Sequence, residues 1–202
     1  MFKVTIIKRI KRSARLSVKD SQNVILSVPK NYTKAHCKQI IEQNRVWIES
    51  QIEKFQQQEA HFHSLRQNAQ ILYFGQWRKK EEFANPAKEL KSALENFLHN
   101  ECENLAKLMG VEFGKLKTKK AKSYFGLCTH KNDLSFSLML CFAPKECVRY
   151  VVVHELAHIT HKNHSKAFWN LVGTFCADYK LLRASLRQNA SLYKNLLQEI
   201  FT

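Results

Sequence analysis

The sequence predicts an α+β fold in which a mainly extended N-terminal region precedes several helices and a small antiparallel sheet. Three observations indicate this class. β-Branched residues alternate with polar residues near the start of the chain, apolar residues recur at helical spacing over later segments, and a second extended region leads into a valine-rich helix. A chain of 202 residues is long enough to bury a hydrophobic core without cross-links.

The N-terminal region predicts a small sheet followed by a helix. Residues 2–10 and 14–28 are rich in β-branched side chains with partial alternation, and the polar run 20–23 is typical of a turn between strands. Residues 34–60 place isoleucine, tryptophan and phenylalanine near helical spacing in a Gln/Glu/Lys background. We therefore expect antiparallel strands first and a helix that begins after Thr33, a suitable N-cap.

The middle of the chain predicts a hairpin and a long helix. Residues 71–83 have the pattern of a short hairpin that turns near Gly75. Pro86 is suited to the first turn of a helix, because proline lacks the N–H that this turn leaves unpaired, and Gly110 is a natural stop. We therefore expect one helix between these two residues.

The last third of the chain predicts a second sheet and the helix that carries most of its histidines. Residues 115–141 look extended around a polar turn, Pro144 is suited to the first turn of the next helix, and the chain after His164 is helical by pattern. We divide the chain into an N-terminal basic β region with its connecting helix, residues 1–85, and a second domain, residues 86–202.

Charge and cysteine content limit the partners and the compartment. The chain has 33 Lys and Arg against 17 Asp and Glu, a net charge of +16. This excess favours either a nucleic-acid partner or a solvated basic surface, and no nucleic-acid motif accompanies it. The six cysteines form no CxxC pair, so we expect a reduced, cytoplasmic chain without a disulfide framework. No secretory signal and no apolar run of about eighteen residues is present, so we expect no membrane association.

Four of the nine histidines lie in one segment, HELAHITHKNH, residues 154–164. On a helix, His154 and His158 are one turn apart on the same face, so both imidazoles can reach one metal ion. Glu155 lies beside the first of them, where it can hold a water molecule without being a ligand, as in the HExxH motif of zinc hydrolases. Chance predicts this motif only roughly 0.03 times in a chain of this composition.

The sequence offers two candidates for the third metal ligand. Along an unbroken helix, His161 would face the same side as His154 but about 10 Å further along the axis, too far to share an ion with both other ligands. His164 is better placed if the helix ends near residues 162–163, because asparagine tolerates the left-handed conformation that reverses a chain. We therefore predict a site of His154, His158 and His164, with His161 as the alternative and a fourth position open to water.

Zinc held in this way predicts hydrolysis of a peptide bond. The ion would polarise the scissile carbonyl and activate a water molecule. Glu155 would act as the general base that takes the proton from this water and passes it to the leaving amine. Spacing along the chain assigns no residue to the electrophilic group that would stabilise the transition state.

At HELAHITHKNHSKAFW the chain resembles the YgjP-like metallopeptidase family, bacterial relatives of the SprT proteins and the minimal gluzincins. The likeness extends upstream through SYFGLCTHKNDLSFSLMLCFAPKECVRYVVV and to WIESQIEKF near the start. It implies a zincin-like catalytic domain that binds zinc through His154, His158 and His164 and uses Glu155 as general base. It also implies that residues 134–140 form an edge strand beside the cleft, able to pair with an unfolded or extended polypeptide substrate.

Two alternative functions are consistent with the sequence. The positive charge and the SprT kinship suggest a nucleic-acid-associated protease, which salt-dependent DNA binding would support. Phe125 and Leu127 stand where the family usually has tryptophan and serine, which suggests a non-catalytic zinc-binding interaction module. That module would bind zinc and cleave nothing.

Overall fold

Three small sheets and six α-helices make up the computed structural model, which describes residues 2–10, 13–67 and 69–201. The chain divides into two compact units, Met1–Gln67 and Asn68–Thr202. This mixture of helices and small sheets confirms the predicted α+β class.

The first unit contains a three-stranded mixed sheet and two helices. Its central strand pairs with one neighbour in parallel and with the other antiparallel. The prediction of a wholly antiparallel sheet was therefore wrong, because the turn at 20–23 joins only the last two strands, while the first lies along the opposite edge of the central one. The elements are β1 (Lys3–Arg9), β2 (Arg15–Val18), β3 (Asn23–Pro29), α1 (Lys34–Gln43) and α2 (Arg45–Gln67).

Apolar side chains shared by the sheet and the helices hold the first unit together. Val24 of β3 and Ile48 of α2 are fully buried in one cluster, and Leu26 packs with Cys37 of α1 in another. Thr33 is the N-cap of α1, as predicted, and its side chain accepts a hydrogen bond from the His36 N–H. In place of the single predicted helix, the structure has two helices separated at Asn44.

The second unit begins with a hairpin and a long helix. The hairpin turns at Phe74 and Gly75, whose φ values of 45° and 81° lie in the left-handed region that such two-residue turns require. The N–H groups of these residues donate to the carbonyls of Cys141 and Phe142, which ties the hairpin to the core of its unit. These elements are β4 (Gln70–Tyr73), β5 (Gln76–Lys79), a 3₁₀ turn (Lys80–Glu82) and α3 (Pro86–Met109).

The hairpin thus belongs to the second compact unit, although the predicted domain boundary follows it at residue 85. Compactness alone does not define a domain, so the division into residues 1–85 and 86–202 stays a prediction. Helix α3 begins at Pro86 and ends at Gly110, which has a left-handed φ of 65°, as expected for a glycine stop.

The sheet of the second unit is also mixed. Its order is β6 (Leu116–Lys119), β8 (Leu134–Ser137), β7 (Gly126–Cys128), with β6 parallel and β7 antiparallel to the central β8. The resemblance-based prediction of an edge strand over 134–140 was therefore wrong: β8 is central, and a 3₁₀ helix, Leu138–Phe142, follows it. The edge strands are β6 and β7, and β7 is the one that packs against α4.

The serines of β8 are buried, as expected for a central strand. Ser135 and Ser137 alternate with apolar residues, a pattern typical of a strand with one solvated face, yet both serines are buried. The Ser137 hydroxyl donates to the Ala121 carbonyl at 2.5 Å and accepts from the Met139 N–H at 3.1 Å. The Ser137 hydroxyl thus has buried partners, whereas the Ser135 hydroxyl has none among the described residues.

Three helices complete the second unit: α4 (Lys145–Thr160), α5 (Lys166–Phe175) and α6 (Tyr179–Ile200). Helix α4 packs against α3, α5, α6 and β7, so it is surrounded on most sides. Pro144 is its N-cap, which agrees with the predicted helix start. Among the described helices, none combines the length and apolar character that crossing a membrane requires.

Candidate metal centre and active site

Helix α4 presents two of the predicted metal ligands on one face. Val152 and Val153, immediately before the first of them, are fully buried. His154 and His158 are one turn apart, and their ring centroids are separated by 5.0 Å. A helix enclosed in this way fixes the positions of both rings.

The third predicted ligand comes from the segment after the helix. Helix α4 ends at Thr160, and His161 is extended, with φ −123° and ψ 100°. The helix therefore ends shortly before residues 162–163, and the left-handed residue expected there is absent from this described segment. The chain bends at residues 162 and 163 instead, and His164 Nε2 lies 3.0 Å from His154 Nε2.

The structure brings His154, His158 and His164 together and leaves His161 out. One nitrogen from each of the three lies within 4.8 Å of the others, which makes this the one group in the described part of the chain with the geometry to hold a metal ion. The carbonyl oxygen of His161 lies 3.0 Å from His158 Nδ1. Only a protonated Nδ1 can donate to that oxygen, so Nε2 of His158 keeps a lone pair for a metal.

Aromatic side chains of α5 enclose the three imidazoles. The fully buried Phe168 ring lies 4.6–4.9 Å from all three histidine rings, centroid to centroid. Trp169 stacks on His164, with centroids 5.5 Å apart and planes at 22°. These contacts restrict rotation of the imidazoles and keep water from their inner side.

The state of the histidines fits a metal ion. Burial and, to a smaller extent, the charges of His158, His164 and Arg183 together lower the pKa of His154 to about 3, so the ring is neutral. Its buried Nδ1 has no hydrogen-bond partner among the described residues, and a metal at Nε2 would offset part of the cost of burying the ring. Two nitrogens bound to one tetrahedral zinc ion lie about 3.3 Å apart. The 3.0 Å between the two Nε2 atoms is close to that distance.

Glu155 lies against β7, one of the two edge strands of its sheet. Its side chain is 5% exposed. A Cβ added to Gly126 would come within 2.6 Å of its Oε1, so only glycine leaves this carboxyl group its space. Burial raises the pKa of Glu155 to about 8, and a hydrogen bond from the Cys128 backbone opposes that shift. Burial thus favours the protonated form of this carboxyl group.

A cavity of about 430 Å³ opens onto His154, Glu155 and His164. Its walls include three residues that the sequence analysis missed: Tyr150, Arg183 and Arg187. Helical spacing was the feature of the sequence that could have identified all three. Tyr150 precedes His154 by one helical turn, and the two arginines are one turn apart on α6.

A larger concavity of about 560 Å³ lies in the first unit, between Phe2, Arg45 and Ile52. Its lining contains no histidine or cysteine, so we locate the chemistry at the smaller cavity beside the histidine cluster.

The family comparison agrees with this site. The model of the YgjP-like metallopeptidase domain matches residues 12–86 and 78–189, which include the whole histidine segment and most of each compact unit. No curated protein and no solved structure matches the chain significantly. Enzymes of the metallopeptidase class depend on a bound metal ion, which is typically zinc. The match covers most of the chain and confirms the resemblance drawn from its motifs: the protein belongs to the YgjP-like metallopeptidase family.

Proposed function

We propose that this protein is a zinc-dependent peptidase in which His154, His158 and His164 hold the ion and Glu155 is the general base. The observation that carries the proposal is the convergence of three imidazole nitrogens within 4.8 Å of one another, beside a buried carboxyl group. Three histidines leave a tetrahedral ion one open position, as catalytic zinc sites require.

The chain's own residues prepare the histidines for a metal. The His161 carbonyl would fix the His158 tautomer, and the Phe168 ring would hold all three imidazoles in place. The bound ion would polarise the scissile carbonyl and lower the pKa of water.

Glu155 would move the proton. With a pKa of about 8, its carboxylate form would accept a proton from the attacking water, and the resulting acid would donate that proton to the leaving amine. A cation at the neighbouring histidines would favour the carboxylate form by Coulombic attraction. Gly126 would give the carboxyl group the space for both states.

We further propose an extended polypeptide as substrate, bound along β7. This strand is at the edge of its sheet and lies against the helix that carries Glu155. Leu127 in the middle of β7 is 41% exposed, so an added strand would find an apolar contact there. Pairing with an edge supplies main-chain hydrogen bonds without requiring a particular sequence.

Replacing His164 with alanine is expected to weaken zinc binding more than about 100-fold, because loss of an outer partner of a metal ligand already costs 10–100-fold. The matched control is His161→Ala, which removes a neighbouring imidazole but keeps the carbonyl that holds His158. Competition with a zinc chelator measures both affinities. Tight binding by His164→Ala together with weak binding by His161→Ala would show that the third ligand is misassigned.

The function itself is tested by cleavage of an unfolded protein mixture, with products identified by mass spectrometry. We expect cuts from the zinc-loaded protein, none after removal of the metal by a chelator, and the same cuts again after zinc is restored. Cuts that persist without metal would contradict the mechanism. Bound zinc with no cuts in any form would favour the zinc-binding interaction module.

A further inference from the structure

Arg183 is a cation without an acidic partner at the mouth of the cavity. It lines the cavity and is exposed, and no carboxylate of the described residues pairs with it. Its guanidinium lies over the Trp169 ring at 4.9 Å from the centroid. Arg187, one turn further along α6, lines the same cavity and is also exposed. An unpaired arginine at a cleft is free to bind an anion from solution.

An aromatic stack holds this guanidinium in place. Trp169 stacks on Tyr179, with centroids 5.2 Å apart and planes at 16°, and its ring also lies against His164. Arg183 therefore packs on an aromatic ring that is itself stacked on Tyr179. That ring, Trp169, also contacts the predicted metal ligand His164. A guanidinium held on an aromatic face loses less conformational entropy when it binds a ligand.

The charged residues that line the cavity favour an anionic group at the side formed by α6. Among its lining residues, all of which the structure describes, Arg183 and Arg187 are the cations and Glu155 is the one carboxyl group. Glu155 is buried on the β7 side, whereas both arginines belong to α6. An anion approaching α6 would thus meet two cations and no exposed carboxylate.

We propose that Arg183, assisted by Arg187, binds a carboxylate group of the substrate next to the bond that is cut. This inference rests on the proposed peptidase function, because carboxylates are the anions that an unmodified polypeptide carries. The guanidinium of Arg183 would donate two parallel N–H···O hydrogen bonds to the carboxylate. The carboxylate is either the C-terminal group of the peptide or an aspartate or glutamate side chain.

Four pools of internally quenched peptides with the same randomised, uncharged positions separate these sources. One pool has a free carboxyl terminus, the second is amidated, and the third and fourth are amidated with a fixed Glu or Gln. Zinc-loaded wild type is expected to cleave one carboxylate pool at least about tenfold faster, in kcat/KM, than its uncharged match. A ratio near one for both pairs would overturn the proposal.

Arg183→Gln should bring that ratio close to one, whereas Arg183→Lys should keep part of it, because lysine retains the charge without the two-pronged geometry. The matched control is Lys194→Gln, which removes the same charge from α6 about 16 Å further along the axis. It should leave the ratio unchanged. An unchanged ratio in Arg183→Gln would contradict the proposal, and a mere loss of stability would slow all four pools alike.

Binding without turnover separates this inference from the peptidase function. In the Glu155→Gln background, fluorescence anisotropy is measured with both carboxylate pools, the one with a free carboxyl terminus and the one with a fixed Glu. For at least one of them the Kd should be about tenfold higher when Arg183→Gln is added. Such binding combined with no cleavage by wild type would support the Arg183 site and reject peptidase function. Cleavage by wild type with equal binding by both variants would reject the Arg183 site alone.

Discussion

Replacing Glu155 with glutamine is expected to lower kcat for peptide hydrolysis by about 10²–10⁴-fold, the usual contribution of a general base. Glutamine has nearly the same shape, so it would fill the space beside Gly126 without accepting a proton. The three histidines would stay in place, so the amount of bound zinc should be unchanged. Steady-state kinetics and atomic absorption on the same preparation measure both quantities.

The matched control for this substitution is Glu146→Gln. Glu146 is an exposed glutamate in the first turn of the same helix, two turns before the site. It should retain wild-type kcat. Turnover by Glu155→Gln within a few-fold of wild type would mean that another group accepts the proton.

Replacing Gly126 with alanine should reduce kcat/KM by about 10–100-fold, because a displacement of about 1 Å at a catalytic group has effects of this size. The added Cβ would lie 2.6 Å from both Cγ and Oε1 of Glu155, closer than atoms can approach. Either β7 moves away from α4 or the Glu155 side chain rotates. Both outcomes misplace the general base and leave the histidines unaltered, so zinc should remain bound.

Gly173→Ala is the control for the added methyl group. Its Cβ would lie 3.6 Å from the Tyr179 ring, an ordinary contact, and alanine suits the interior of α5 better than glycine. It should keep full activity and equal or higher thermal stability. If Gly126→Ala were as active as Gly173→Ala, the close approach of β7 to Glu155 would have no role in catalysis.

The candidate metal site could be predicted from spacing because its ligands are close in sequence. His154 and His158 need only one helical turn to meet, and His164 needs only a reversal soon after it. The type of reversal could not be predicted, since a left-handed Asn163 and bends that follow an extended His161 would both return the chain. Deciding between them requires tertiary contacts, such as the 2.8 Å hydrogen bond from Lys162 to Asn132.

The strand order of the second sheet and the position of α6 at the cavity depend on tertiary contacts. A sequence pattern does not reveal such contacts. The family resemblance implied an edge strand over residues 134–140, but β8 is the central strand of its sheet, and its Ser135 and Ser137 are buried. Arg183 is nearly thirty residues after His154, and its place in the cavity depends on how α6 packs on α4. The four-residue spacing between Arg183 and Arg187 indicates that both lie on one face of α6. It does not indicate which part of the protein that face contacts.

The position of bound zinc tests the account most directly. Diffraction data collected on either side of the zinc absorption edge, from crystals of the zinc-loaded protein, would locate the ion by its anomalous signal. We expect one strong peak at about 2.0–2.1 Å from Nε2 of His154, His158 and His164. A peak at His161 or at the cysteines, with none among these three histidines, would contradict the proposed metal centre.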